Sequence, residues 1–441
     1  MIQCVMLLGG KGTRLGLPDR PKPMVDINGV PLLRLSLQGL AAQGVRRFLF
    51  LVDHMSDVIK EAFGDGSVDG LHITYATDRS GLGTAGATRA AANLLEDEFL
   101  VVYGDLLFDV DINRFCAAAR MVDGCGTLML HPNDHPFDSE IVSLAERTGR
   151  TAPIAAIYRK PGPYGVLQRN LVNAGLYYLR KAALDDIDQN AERPDWARDV
   201  FPAAVAHGSR YHGYRTIEYI KDVGTPDRVA RGKRDAVQDK VQRRSYRTPQ
   251  PAVFLDRDGV VNREIGGVIG PDRLELLPGA GEAIARLNAA GVPAIIVTNQ
   301  PGVAKGQMSR ADLERVHVQL DYQLAQYGAY VDDLYCCIHH PDKGFPGEVL
   351  ELKVACDCRK PSDGMLRRAA QDHFLCLESS MLIGDRDVDI EAGRRAGCLT
   401  VHVPTNASDT WATPAPAADR RASTLESAID IALAHFSHSP M

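Results

Sequence analysis

Short apolar runs that close on polar or acidic residues constrain this chain more than any other feature. CVMLL at 4–8, RFLFLV at 47–52 and FLVVYG at 99–104 occupy the first half, and AVFLD at 252–256, PAIIVTN at 293–299 and MLIGD at 381–385 the second. Each has the length of a buried parallel strand, and helix-like segments separate them. The alternation predicts open α/β sheets, with ligands gathered at the carboxyl ends of strands. At 441 residues, two to three domains of roughly 150 residues are expected, each able to bury its own core. The pattern breaks between 228 and 251, where RVARGKRDAVQDKVQRRSYRTPQP is charged and has no clear apolar face. The expected division is therefore 1–230, a linker at 231–250, and 251–441. PTNASDTWATPAPAAD at 404–419 reads as a surface loop before a last helix, and the halves share no internal repeat.

A hydrophobic content of 45% with 24% charged residues excludes disordered and fibrous classes. The net charge of −6 supplies no footprint for nucleic acid or an anionic membrane, so small-molecule partners are expected. No apolar run approaches the ~20 residues of a membrane span, and the opening MIQCVMLLGGKGTRLG reaches glycines before a signal core could form. The expected address is cytoplasmic. A second copy of the chain stays open as a partner. Nine cysteines, several crowded between Cys336 and Cys358, suit a metal site in a reducing compartment better than a disulfide framework.

After the first strand come Gly9, Gly10, Lys11, Gly12, Thr13 and Arg14, then Pro21-Lys22-Pro23. Glycines let backbone N–H groups approach phosphate oxygens, and Arg14 and Lys22 supply cations for a triphosphate. The spacing is neither the dinucleotide fingerprint nor the Walker loop. G-G-x-G-T-R followed by P-K-P resembles the sugar-phosphate nucleotidyltransferases, which make nucleotide sugars from an NTP and a sugar 1-phosphate. The resemblance spans about 1–230 and implies a Rossmann-like domain. It places Gly83, Thr84 and Gly86 of Leu82–Ala87 in a base-binding segment, with Asp105 of Gly104-Asp105 and Asp222 of Asp222-Val223-Gly224-Thr225-Pro226 as magnesium ligands. Lys160, Asn173 and Gly175 fall at its sugar-phosphate contacts. Leu8 and Arg159 depart from the family's pattern. The chemistry explains the residue types: an anionic sugar phosphate must attack an anionic α-phosphorus, so neutralising charge is the main task.

In the second half, Asp256-Arg257-Asp258-Gly259 closes a strand run, Thr298-Asn299-Gln300 closes the next, and Arg359-Lys360-Pro361 and Gly384-Asp385-Arg386-Asp387-Val388-Asp389 follow. Two acids two apart repel unless a cation lies between them. The series resembles the haloacid dehalogenase superfamily of phosphatases over about 250–436. That resemblance makes Asp256 the nucleophile and Asp258 the acid and base. It makes Thr298 and Lys360 stabilisers of the phosphoryl group, and Asp385, Asp256 and the Asp258 carbonyl a magnesium site. The intervals are too short for a full cap domain, so loops must select substrate; Asn299, Gln300, Lys305, Arg359 and Arg386 are candidate contacts.

Cys336-Cys337-Ile338-His339-His340 and Cys356-Asp357-Cys358 supply thiolates and imidazoles for tetrahedral zinc. C-x-H with C-x-C directly before Arg359-Lys360 resembles the zinc loop of the heptose bisphosphate phosphatases, which implies Cys337, His339, Cys356 and Cys358, with Cys336 and His340 as rivals by a one-residue slip. Those enzymes remove the 7-phosphate of D-glycero-D-manno-heptose 1,7-bisphosphate; relatives act on histidinol phosphate. A 7-phosphatase yields heptose 1-phosphate, which a nucleotidyltransferase consumes, so the expected whole is a bifunctional enzyme making GDP-heptose from GTP. The alternatives are another sugar or nucleotide (mannose, ADP-heptose), a histidinol-phosphatase-like half, or one half acting as an inactive regulatory module.

Overall fold

The computed structural model describes residues 2–10, 15–16, 20–53, 55–77, 81–146, 149–159, 168–404 and 417–438. The chain divides into two compact units that meet in sequence at Ser245 and Tyr246; Pro132–Pro136 and residues 168–170 group with the second.

The first unit holds a nine-stranded sheet in the order His72–Thr77, Arg47–Val52, Gln3–Leu7, Glu98–Tyr103, Val172–Arg180, Gly126–His131, Tyr211–Arg215, Thr151–Tyr158, Ile141–Leu144. Its first four strands are parallel, and Val172–Arg180 runs against Glu98–Tyr103. Alternate residues of each run feed different cores. Cys4, Met6, Phe48 and Phe50 pack on one face of the sheet, and Val5, Leu7, Leu49 and Leu51 on the other. Burial on both faces is why these runs are apolar throughout rather than alternating. From Gln3–Leu7 the chain passes first to the strands on one side, then to Glu98–Tyr103 on the other, which opens a crevice between those two strand ends.

A separate pair, Leu106–Asp109 with Tyr219–Asp222, sets Asp222 opposite Leu106 and hence beside Asp105. The segment expected as a linker carries the helices Pro226–Val237 and Lys240–Arg243. Thr225 caps the first, accepting from the Arg228 N–H, and Pro226 occupies its first turn. Its inner face is mixed: Val229 and Ala236 pack on an apolar cluster with Leu107 and Val223, while the buried Asp235 accepts from the Tyr219 hydroxyl at 2.8 Å, so the apolar stripe is narrow and interrupted.

The second unit is a parallel sheet in the order Asp333–Cys337, Ala294–Asn299, Val253–Leu255, Met381–Gly384, Leu399–His402, Arg420–Arg421. It reverses direction in the same way, between Val253–Leu255 and Met381–Gly384, so that Asp256 and Asp385 leave adjacent strand ends. Among the described residues no helix is long and apolar enough to cross a membrane.

Candidate active sites

In the first unit a cleft of about 650 Å³ opens at the switch point, lined among others by Gly9, Gly10, Lys22, Gly83, Thr84 and Asp105. Lys22 makes an ion pair with Asp105. A Cβ on Gly224 would lie 2.9 Å from both the Lys22 ammonium and an Asp222 oxygen, which places Asp222 at the same cation. Asp222 also accepts from the Gly224 N–H at 3.0 Å and pairs with Arg228. Burial raises its pKa, but Arg228, the Gly224 amide and Lys22 outweigh burial and hold it below the ordinary carboxylate value.

Gly83 has φ +75°, and a Cβ there would sit 2.6 Å from the Pro194 carbonyl, so only glycine opens the helix Gly83–Ala90 against that backbone. The Pro194 carbonyl accepts from Ala85 N–H at 3.0 Å. Thr84 spends its hydroxyl on Asp195 at 2.8 Å and accepts from Trp196 N–H at 3.0 Å. Gly86 is turned to Leu82 and Pro194, away from the cleft lining. Asn173 accepts from Gly175 N–H at 3.1 Å where the strand Val172–Arg180 loses register, and Gly175 takes φ +75°. Gly12, Thr13, Arg14 and Lys160 lie outside the described residues. The sequence reading did not single out Asp53, Tyr103, Arg193, Asp195 and Arg198, which also line the cleft. Asp53 carried a signal, since it follows an apolar strand directly, as Asp105 nearly does.

In the second unit Asp256, Asp385 and Asp389 are all buried, with carboxylate oxygens within 4.8 Å of one another. Lys360 lies among them, 2.8 Å from Asp256 and 2.5 Å from Asp389, and donates to the Val297 carbonyl at 2.8 Å. Burial opposes its charge, but the two acids outweigh burial and keep it protonated. Burial, with Asp389 and Asp385, in turn raises Asp256, against Lys360. Gly259 has φ +86°, and any Cβ would run into the Asp385 carboxylate. That is why glycine follows the second acid.

Asp258 turns its carboxylate away from this cluster. It accepts two bonds at 3.0 Å from the fully buried Arg257, one at 2.8 Å from Asn262 and one at 2.6 Å from Gln300. Burial raises its pKa, yet Arg257 and the amide donors prevail and leave it low. Gln300 also donates to the buried Thr298 hydroxyl at 2.9 Å. Asn299 brackets Lys360, donating to its carbonyl and accepting from its N–H, both at 3.0 Å. Arg386 pairs with Glu264 at 2.6 Å, the Lys305 ammonium stands 4.9 Å over the Phe345 ring, and Arg359 reaches the His339 carbonyl at 3.4 Å. The motif alone does not single out Asp389. Of the acids alternating through Asp385-Arg386-Asp387-Val388-Asp389, burial picks out Asp385 and Asp389.

Cys337, His339, Cys356 and Cys358 form a second cluster. Their sulfurs lie 3.2 to 3.6 Å apart, and His339 Nδ1 is 3.3 Å from Cys358 and 3.8 Å from Cys337. Cys336 and His340 stay outside; His340 Nδ1 lies 3.4 Å from the Asp342 carbonyl.

Two α/β units, each bringing acids and a lysine to a switch point between parallel strands, define a protein built to handle phosphate esters and anhydrides. The nucleotidyl transferase family model matches residues 3–238, and the HAD-hydrolase-like model matches 357–428. The chain is 41% identical over 164 residues to the D-glycero-D-manno-heptose-1,7-bisphosphate 7-phosphatase of Thermosynechococcus vestitus, covering 36% of this chain and 82% of that one. It is 37% identical over 150 residues to the D-glycero-beta-D-manno-heptose-1,7-bisphosphate 7-phosphatase of Escherichia coli K12, covering 34% and 76%. A crystal structure of HddC from Yersinia pseudotuberculosis complexed with GMP-PN shares 25% identity at a TM-score of 0.45, over 54% of this chain and 100% of that one. The chain belongs to the nucleotidyl transferase family through its first half and to the family of these two phosphatases through its second.

Proposed function

We propose that the second unit removes the 7-phosphate of D-glycero-D-manno-heptose 1,7-bisphosphate and that the first transfers GMP from GTP to the resulting heptose 1-phosphate, releasing pyrophosphate and GDP-heptose. The observation that carries the phosphatase half is Asp256 held between Lys360 and two further buried acids, in a chain 41% identical over 164 residues to a phosphatase named for that substrate. Asp256 attacks phosphorus, the phosphorus–oxygen bond to the sugar breaks, and Asp258 protonates the leaving alkoxide; Asp258 then takes a proton from the water that hydrolyses the aspartyl phosphate. Its low pKa suits the second step; for the first it must leave Arg257 and take up from solvent the proton that it then gives to the alkoxide. Lys360 and Thr298 hold the transferred phosphoryl oxygens.

Three buried carboxylates face Lys360 and a longer 3.8 Å contact from Arg386, which still leaves negative charge in excess, so Asp256, Asp385 and Asp389 fit a magnesium ion, which would screen nucleophile and phosphate from each other. In the first unit Asp105 and Asp222 are the magnesium candidates, and Lys22 neutralises the phosphates between them. The Cys337, His339, Cys356 and Cys358 cluster fits zinc: a Zn–S bond of about 2.3 Å gives tetrahedral edges of about 3.8 Å, close to the separations here. With four protein ligands the metal would be structural, firming the loop that leads into Arg359 and Lys360.

The guanylyl reading rests on the sequence resemblance and on the coupling of the two reactions. Offering heptose 1,7-bisphosphate with each of the four NTPs and identifying products by mass tests the whole. GDP-heptose with one phosphate and one pyrophosphate is expected; phosphate release without any nucleotide sugar would overturn the coupled scheme.

A further inference from the structure

We propose that Asp53 reads the nucleotide base, taking the paired N–H donors of guanine. The inference rests on the guanylyl reading above and names the side chain that would enforce it. Among the described residues three carboxylates line the cleft: Asp53, Asp105 and Asp195. Asp105 is neutralised by Lys22. Asp195 is consumed as a helix cap, one oxygen accepting from Arg198 N–H at 2.9 Å and the other from the Thr84 hydroxyl at 2.8 Å. Asp53 alone has no hydrogen bond or ion pair among the described residues, although it is partly buried at the end of the strand Arg47–Val52.

An unpaired carboxylate in a cleft for a triphosphate is a liability unless the ligand brings donors to it. A carboxylate repels phosphates, so the part of the ligand that suits it is the nucleoside. Its place agrees: the strand Arg47–Val52 neighbours Gln3–Leu7, the Leu8 N–H donates to the Leu51 carbonyl at 2.9 Å, and a Cβ on Gly9 would lie 3.2 Å from the Asp53 Cβ. Asp53 therefore stands beside the first glycine of the phosphate turn, on the side away from the Lys22 and Asp105 pair at Gly104.

Guanine presents N1–H and its 2-amino N–H side by side, the same parallel pair with which a guanidinium grips a carboxylate. Adenine and cytosine set an amino group beside a ring-nitrogen acceptor, and uracil sets one N–H between two carbonyls. With each of these a carboxylate oxygen would meet a lone pair. One residue would thus favour guanine and repel the other bases.

The test compares kcat/KM for GTP, ITP (which lacks the 2-amino group), ATP and 2′-deoxy-GTP in the full-length protein and in Asp53→Asn, a near-isosteric change at a partly exposed position. The wild type should prefer GTP over ITP by about tenfold or more. Asp53→Asn should bring that ratio close to one and raise ATP relative to GTP, since an amide can pair with adenine. An unchanged GTP/ITP ratio overturns the assignment. So does an altered GTP/2′-deoxy-GTP ratio with GTP/ITP unchanged, which would move Asp53 to the ribose. If the wild type itself prefers another base, the guanylyl reading fails first and is seen to fail separately.

Discussion

Asp389 shows how a single buried residue can organise a site whose nucleophile is another acid. It lies 2.5 Å from Lys360, and its other oxygen accepts from the Arg386 N–H at 3.0 Å, which pins the start of the helix Asp387–Ala396. Asp389→Asn should raise the magnesium concentration needed for half-maximal phosphate release at least tenfold while leaving guanylyl transfer intact; a mutant that titrates with magnesium like the wild type would remove Asp389 from the cation site. The sequence could not choose it, because Asp385, Asp387 and Asp389 alternate and only helix phase decides which faces inward. His317 is a second residue-scale case. It is 4% exposed, and its pKa is pushed down to about 4, by burial first, with Arg169 and Arg257 adding to that and Glu314 opposing. The unfolded chain binds that proton near pH 6.5, so the folded protein loses stability as pH falls from about 6.5 toward 4, by roughly 3 kcal/mol at most from this group. The drop in Tm of the second unit between pH 7 and pH 5 should be smaller in His317→Gln; equal drops would show that His317 is not the titrating group.

The strands were the most legible elements. CVMLL, RFLFLV and FLVVYG are apolar throughout because alternate residues serve cores on opposite faces of a covered parallel sheet, and that signal is local. The packing of the helix Pro226–Val237, in a stretch that reads as a solvated linker or an exposed helix, was harder to read: only Val229 and Ala236 give it apolar contacts, and its buried Asp235 is satisfied by Tyr219, a partner a hydropathy pattern does not register. The cysteine loop lies between these cases. Its residue types pointed to metal, but the choice of Cys337 and His339 over Cys336 and His340 depends on how the chain leaves the strand Asp333–Cys337. Cys358 is held up by its hydrogen bond with Cys337 and by burial, an opposition that a thiophilic dication would remove. Cys356→Ser, or a strong chelator, should therefore lower the Tm of the second unit by several degrees and raise KM for the bisphosphate more than it lowers kcat. Protein purified without chelators should carry about one zinc per chain; elemental analysis finding none would reject the assignment.

A molecule that joins a phosphatase to a transferase needing a phosphate ester must protect the ester it is about to use. Hydrolysis of the 1-phosphate would leave nothing for the first unit to activate, so the second must tell two phosphomonoesters on one sugar apart. Among the described residues the cations around its site are unequally committed. Arg257 is spent on Asp258, Lys360 on Asp256 and Asp389, and Arg386 leans on Glu264, whereas Arg359 makes one 3.4 Å contact with the His339 carbonyl and Lys305 stands over the Phe345 ring with no carboxylate partner. A cation held over a ring keeps its donors for a ligand. We assign the distal 1-phosphate to Lys305, the loop 263–273 and the cysteine loop, so that binding energy gained at the far end positions the 7-phosphate at Asp256. The bisphosphate should then be hydrolysed much faster than heptose 7-phosphate, and heptose 1-phosphate should be nearly inert. Lys305→Ala should lower kcat/KM for the bisphosphate by about ten- to a hundredfold while barely changing that for heptose 7-phosphate, which has no distal phosphate to lose. Accumulation of heptose 7-phosphate during turnover of the bisphosphate would reverse the regiochemistry, and with it the order in which the two units act.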